Sequence, residues 1–236
     1  MRYNYIPKNE LEKFGEKVYN LLVENFPQTF FVGGMVRDLL LERRIVDIDI
    51  ATSATPKQIT TILDSNKVQF NDQYKHFGNV IAHDSKMSVE ITSFREDLRG
   101  DNRYHKIRFV GSPKIDSQRR DFAVNSLYLQ LNNKEILDFQ GGLNDIQKKQ
   151  IRFIGDAKKR ILQDPLRIVR ALRFALVLNF KLESKTKLAI KNNFSEVKNL
   201  TKSKIEKEFL KIKNEGQKNI LKKVINNPAY LDKYFI

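Results

Sequence analysis

The sequence predicts an α+β protein, a mixed-sheet head followed by an all-helical and strongly basic neck. Three observations predict it. Strand and helix patterns alternate up to about residue 155, and strand signals then stop. The charge also steps. Residues 1–146 hold 20 Lys and Arg against 20 Asp and Glu, whereas residues 147–236 hold 23 against 8, so the whole net charge of +15 lies in the second part. The domain boundary is placed at that step, giving 1–146 and 147–236. A chain of 236 residues is long enough to bury the core of one large domain or two small ones.

The elements follow in order. Residues 10–24 carry Leu11, Phe14, Val18, Leu21 and Leu22 at helical spacing. Residues 29–32 form a short apolar strand, ended by Gly33-Gly34, and 36–41 a short helix. Residues 45–50 alternate Ile and Asp, a strand with its carboxylates on one face. Thr55 caps the next helix, with Pro56 in its first position. Further strands are expected at 79–82, 88–94, 107–110 and 127–131. The segment 95–106 is polar, charged and contains a glycine, so it reads as a mobile loop. Residues 157–213 read as helical, with breaks at 180–182 and 192–194. There is no internal repeat and no low-complexity linker.

Composition excludes several classes. No run of about 18 apolar residues occurs, so no transmembrane helix is expected. The first ten residues are polar and lack the core of a secretion signal. The absence of cysteine excludes disulfides and thiol chemistry and suits a reducing cytoplasm. His76, His83 and His105 are scattered, which argues against a zinc site. The basic second part fits a polyanion-binding surface. Lysine-rich solvated helix faces fit the same charge equally well.

The chemistry concentrates in Gly33-Gly34-Met35-Val36-Arg37-Asp38 and Asp47-Ile48-Asp49. Strand residues two apart share a face, so Asp47 and Asp49 present paired carboxylates, which repel unless a cation lies between them. Mg²⁺ suits that role, taking carboxylate and phosphate oxygens together. The Gly-Gly turn lets backbone N–H groups approach a triphosphate, and Arg37 adds a fork of donors. Alone, a Gly-Gly is a turn and an Asp-x-Asp a strand edge. The ordered set is far more specific.

The stretch Phe30-Phe31-Val32-Gly33-Gly34 through Asp47-Ile48-Asp49 to Thr55-Pro56 closely resembles the signature of the tRNA nucleotidyltransferase and bacterial poly(A) polymerase family, bacterial–eukaryotic class, within the polymerase-beta-like nucleotidyltransferase superfamily. Arg119-Arg120-Asp121-Phe122-Ala123-Val124-Asn125-Ser126 resembles its second motif. Asp138-Phe139-Gln140-Gly141-Gly142-Leu143-Asn144-Asp145 resembles its Gly-Gly-x-x-Asp motif, a joint or a tight turn. Gln163-Asp164-Pro165-Leu166-Arg167, followed by Arg170 and Arg173, resembles its EDxxR motif, and 203–212 the helix closing the neck. The resemblance spans 30–212.

The resemblance implies template-independent addition of CCA to the tRNA 3′ end from CTP and ATP, with release of pyrophosphate. Asp47 and Asp49 would be catalytic and hold Mg²⁺. Gly33, Gly34, Arg37 and Arg120 would meet the triphosphate, Asp121 the ribose, and Asn125 would brace that region. Asp164 and Arg167 would serve as a protein template for the base. Cytosine and adenine carry an amino group beside an unprotonated ring nitrogen, which a carboxylate and a guanidinium match. Guanine and uracil reverse the pattern, leaving buried polar groups unpaired at roughly 1–3 kcal/mol each. Arg170 and Arg173 would hold phosphates or brace Asp164. Without the resemblance, Asp164-Pro165 is simply a good helix start. Glu90 could be a third carboxylate near the metal or a surface strand residue.

Departures leave alternatives open. Gln163 stands for the usual Glu, Ala123 for Thr, and Val177-Leu178-Asn179-Phe180 for Arg-Leu-Gly-Phe. The segment 95–106 is shorter than usual. The product could thus be CCA, only CC or only A, and a poly(A) polymerase of the same fold is a further reading. Body and tail domains are expected to be shortened or absent. The basic neck, a second copy of the chain or a helper chain would then grip the tRNA in the cytoplasm.

Overall fold

The computed structural model describes residues 1–98 and 106–235. It consists of two compact units. One comprises Met1–Arg120 and Asn125–Gln140, the other Asp121–Val124 and Gly141–Ile236. The division at Gln140 and Gly141 falls a few residues before the boundary read from the charge step.

The first unit contains α1 (Glu10–Val23), β1 (Thr29–Val32), α2 (Gly34–Leu40), β2 (Asp49–Thr52), α3 (Pro56–Ser65), β3 (Gln69–Asn71), β4 (Asn79–His83), β5 (Ser88–Ser93), β6 (Arg95–Leu98), β7 (Lys106–Phe109), α4 (Pro113–Arg119), β8 (Leu127–Gln130) and β9 (Glu135–Asp138). Among the described residues, seven strands form one sheet in the order β3-β4-β5-β2-β1-β8-β9. Only β2 and β5 run parallel, so the sheet is mixed. The interior strand β1 is buried throughout, as its run Thr-Phe-Phe-Val demands. Phe30, Val32, Ala51, Phe94 and Tyr128 form one core cluster. Phe31 lies against Tyr19 of α1, ring centroids 5.2 Å apart. Gly15 permits the close approach of α1 to the chain before β2, since a Cβ there would meet Ile48 Cδ1 at 2.6 Å. Thr55 and Gln58 close a capping box at the start of α3, with Pro56 in the first turn.

Three expectations are corrected. The strand expected at 45–50 begins only at Asp49, because β1 ends at Val32, opposite Asp49, and no residue of β1 remains to pair with Asp47. The segment 95–106 is not loop throughout. Arg95–Leu98 and Lys106–Phe109 pair as antiparallel strands, and 99–105 lie outside the described residues. Strand structure also continues past residue 155, where Lys181 and Leu182 pair in parallel with Gln150 and Ile151.

The second unit contains α5 (Gly142–Gln147), β10 (Gln150–Ile151), α6 (Ala157–Gln163), α7 (Leu166–Leu178), β11 (Lys181–Leu182), α8 (Ser184–Asn192), α9 (Lys202–Leu210), α10 (Glu215–Asn226) and α11 (Leu231–Tyr234). Among the described residues, its regular structure is otherwise helical, apart from an isolated antiparallel bridge between Phe122 and Phe153. Gly141 takes the left-handed conformation, φ 75°, as the N-cap of α5. The segment Asp121–Val124 belongs here because Phe122 is fully buried against Phe153 and Phe174, ring centroids 5.0 and 5.6 Å away. Among the described residues, no helix is long and apolar enough to cross a membrane.

A buried ion pair ties α7 to α9. Arg173 Nε donates to Glu208 Oε2 at 2.7 Å, and Lys211 adds a second contact to Glu208. Burial alone would raise the Glu208 carboxyl, but Arg173 and Lys211 hold it below the ordinary carboxylate range. Removing one partner leaves the other charged and buried, so Glu208→Ala is expected to cost about 3 kcal/mol in urea unfolding, and Arg173→Met with Glu208→Leu to recover most of it. Because the carboxyl is depressed in the folded state, the pair's contribution should be complete above the ordinary Glu range and be lost as pH falls below it through the lower folded-state value.

Candidate functional site

In the first unit the site is set by strand register. Val32 of β1 and Glu90 of β5 both face Asp49 of β2, one on each side. Gly33 follows Val32, so the glycine turn and Asp49 are brought together. Gly33 has φ 78°, and a Cβ there would lie 3.1 Å from Asp49 Oδ2. The glycine therefore keeps open a cradle beside the carboxylate that any side chain would fill. Asp47 sits in the irregular segment before β2 and is exposed, while Ile48 between the two acids is buried. Glu90 is exposed and accepts from Asn79 Nδ2 at 2.6 Å.

Asp49 carries an electrostatic cost. Burial pushes its carboxyl up to about 7, Glu90 adds to the rise, Arg120 opposes it, and Asp47 and Arg37 add smaller effects of opposite sign. Among the described residues, no group of three or more His, Cys, Asp or Glu could hold a metal by protein ligands alone. Two carboxylates and an open glycine cradle do fit a divalent cation that takes its other oxygens from phosphates and water.

The arginines divide between bracing and facing this cradle. Arg37, expected at the triphosphate, is buried, with its guanidinium forked onto Asp38 at 2.8 and 2.9 Å. It also donates to Asn125 Oδ1. Arg37 and Asn125 thus brace the turn that starts α2. Arg120 Nη1 lies 3.9 Å from the position a Gly33 Cβ would take. Its other edge meets Asp116 and Tyr128, neither of which the motifs had signalled. Asp116 stands three and four residues before Arg119 and Arg120 and pairs with both. That helical spacing was the available clue.

In the second unit a different group forms around Asp121. Its carboxylate accepts from Arg167 Nε at 2.8 Å and pairs with Arg170 Nη2 at 2.8 Å and Arg160 Nη2 at 3.9 Å. Arg167 Nη1 also donates to the Arg160 carbonyl at 2.7 Å and to Gln163 Oε1 at 3.3 Å. Asp121, expected at a ribose, thus organises the arginine stripe. Asp164 lies between α6 and α7, and its Oδ1 accepts from Leu166 N at 3.1 Å. Helix α7 begins at Leu166, one residue later than expected. Arg173 departs from the group. Each three-residue step turns back about 60° on an α-helix, so two steps carry Arg173 about 120° away from Arg167 and into the core.

Comparison with known proteins identifies the family. Residues 29–152 match the family model described as the poly A polymerase head domain. A CCA-adding enzyme of Bacillus pumilus (strain SAFR-032) is 37% identical over 220 residues, covering 90% of this chain and 53% of that protein. The structure of a Bacillus stearothermophilus CCA-adding enzyme in complex with CTP superposes with a TM-score of 0.75 at 32% identity, over 85% of this chain and 48% of that one. A tRNA nucleotidyltransferase complexed with a primer tRNA and an incoming ATP analog gives 0.67 at 25% identity, over 86% of this chain and 58% of that one. The chain spans about half the length of the curated relatives it matches.

The raised Asp49 carboxyl yields a pH test. A folded-state value of about 7 against the ordinary 3.8 penalises the ionised form in the folded protein, so the penalty grows between those values and is complete above them. Asp49→Asn should therefore melt at a higher temperature than the parent in metal-free alkaline buffer, with the difference closing as pH approaches the ordinary Asp range. A gap that does not change with pH would exclude this account.

Proposed function

We propose a reaction for this chain from one premise: it belongs to the poly A polymerase head-domain family. The reaction is nucleotidyl transfer to the 3′ end of RNA. The acceptor is tRNA, the donors are CTP and ATP, and the added sequence is CCA. The observation that carries the reading is the glycine cradle, where Asp49, Asp47 and Glu90 concentrate negative charge opposite Arg120. The CTP complex and the primer tRNA complex of similar proteins support the choice of substrates. A tRNA substrate puts the chain in the cytoplasm.

The RNA 3′-hydroxyl oxygen attacks the α-phosphorus of the nucleotide, the bond to the bridging oxygen breaks, and pyrophosphate leaves in line. Asp47 and Asp49 would hold Mg²⁺, which would supply Lewis acidity toward the attacking hydroxyl and neutralise phosphate charge. The open backbone at Gly33 and Gly34 admits the triphosphate. Arg120 donates to phosphate oxygens that gain charge as pyrophosphate departs. Arg37 and Asn125 keep the turn in place. Asp164 accepts from the exocyclic amino group of cytosine or adenine, and Arg167 donates to the neighbouring ring nitrogen. Asp121 and Arg170 hold Arg167 for that task, and Arg173 braces α7 on Glu208. The basic residues beyond 146 contact RNA phosphates.

Primer extension on tRNAs ending before CCA, after C and after CC, with CTP and ATP singly and together, tests the reading. Growth to CCA followed by arrest is expected. Arrest at CC would make it a partial enzyme, and long A tails a poly(A) polymerase. Asp47→Ala and Asp49→Ala should each abolish transfer with circular dichroism unchanged, and substantial residual transfer would refute the metal assignment. Arg167→Ala should lower discrimination against UTP and GTP by roughly 10- to 100-fold, the value of one lost buried pairing. Binding of tRNA should weaken steeply between low and moderate salt, and a flat response would rule out a phosphate grip.

A further inference from the structure

Arg120 owes its direction to two residues that stand outside every family motif. Asp116, fully buried on α4, accepts from Arg120 Nη2 at 3.1 Å and Nε at 3.3 Å through one oxygen. The Tyr128 hydroxyl donates to that same oxygen at 2.7 Å and accepts from Arg120 Nε at 2.9 Å. The other Asp116 oxygen accepts from Arg119 Nε at 2.8 Å and from the Arg95 backbone N–H at 3.3 Å, so the carboxylate cannot turn. Tyr128 is fixed as well. Its ring is fully buried and lies edge-on to Phe30, Phe94 and Phe139, with centroids 5.8, 6.4 and 5.9 Å away.

We infer that Asp116 and Tyr128 are positioning residues that aim Arg120 at the phosphates of the bound nucleotide and of pyrophosphate. The inference rests on the phosphate role proposed for Arg120. A free arginine side chain has many rotamers, and fixing one at binding costs entropy. Here one edge of the guanidinium, Nε and Nη2, is anchored in advance, and its carbon lies 5.1 Å from the Tyr128 ring centroid. The remaining nitrogen, Nη1, is thereby directed at the Gly33 cradle. Packing alone does not call for the Tyr128 hydroxyl, because a phenylalanine would fill the same place in the aromatic cluster. It bonds Asp116 and Arg120, and burial pushes the phenol up so that it stays a donor to Asp116. Despite burial, Arg120 and Arg119 hold the Asp116 carboxyl below the ordinary range, so it stays an acceptor.

Calorimetric titration of pyrophosphate with Mg²⁺ into the parent chain, Tyr128→Phe, Arg120→Ala and the double variant tests this without depending on turnover. Tyr128→Phe should weaken pyrophosphate by about five- to tenfold, the worth of one or two hydrogen bonds, while melting within a few degrees of the parent. In the Arg120→Ala background the same change should cost nothing further. An equal loss in both backgrounds would show that Tyr128 acts other than through Arg120 and overturn the inference. So would unchanged affinity in Tyr128→Phe when Arg120→Ala binds weakly. If Arg120→Ala itself binds as the parent does, the proposed phosphate role falls and this inference with it. Asp116→Asn should weaken binding in the same direction, and should it fail to fold, the Tyr128 comparison still decides.

Discussion

The register of β2 is the constraint on which the site depends. Ile50, Ala51 and Thr52 are buried on both faces of the sheet, so a slip of one residue would exchange the faces against which Ile50 and Ala51 pack. The packing of these three residues thus fixes the position of the acid that precedes them. With Ile50 held in the core, Asp49 must lie between Val32 and Glu90. Gly33 comes next in β1 and must lie beside the carboxylate. A place for concentrated negative charge is therefore the outcome of hydrophobic packing, and the cost shows in the raised Asp49 carboxyl.

Buried charge is handled in three ways. Asp49 is left under-compensated, with carboxylate neighbours on the same side of the balance as burial. Asp116 and Glu208 are over-compensated, each holding two basic side chains and a depressed carboxyl. Asp121 gathers three arginines on one face of the second unit. Over-compensated acids hold structure, and the under-compensated one reaches balance only by taking up a proton or a cation. The difference separates framework acids from the acid with unfinished chemistry more clearly than burial does.

Much of this was legible in the sequence. The helix at 10–24, the strand at 29–32 and the capped start at Thr55-Pro56 stand where spacing and capping put them, because local chemistry decides those elements. Elements decided by partners were not legible. Glu135–Asp138 carries little apolar pattern and becomes a strand because β8 offers it an antiparallel edge. Asp47 loses its strand because β1 runs out. The motif residues were visible by type and spacing, but their partners were not. Arg37 was visible as a candidate, but its bidentate bond to the adjacent Asp38 depends on a turn that spacing does not describe. Asp121 lies 46 positions from Arg167, so their hydrogen bond could not be read from either neighbourhood.

The charge step has one more consequence. A part of the chain carrying 23 basic residues against 8 acidic ones repels itself when folded, and dissolved ions relieve that strain. On the proposed RNA-binding reading, the same ions would compete with the chain for the RNA phosphates. Salt therefore acts on this part with two opposite signs, firming the fold while loosening its hold. On that reading the RNA would do what salt does for the fold without the competition, so the ligand would also be the natural counterion, and this region would be held together best when occupied.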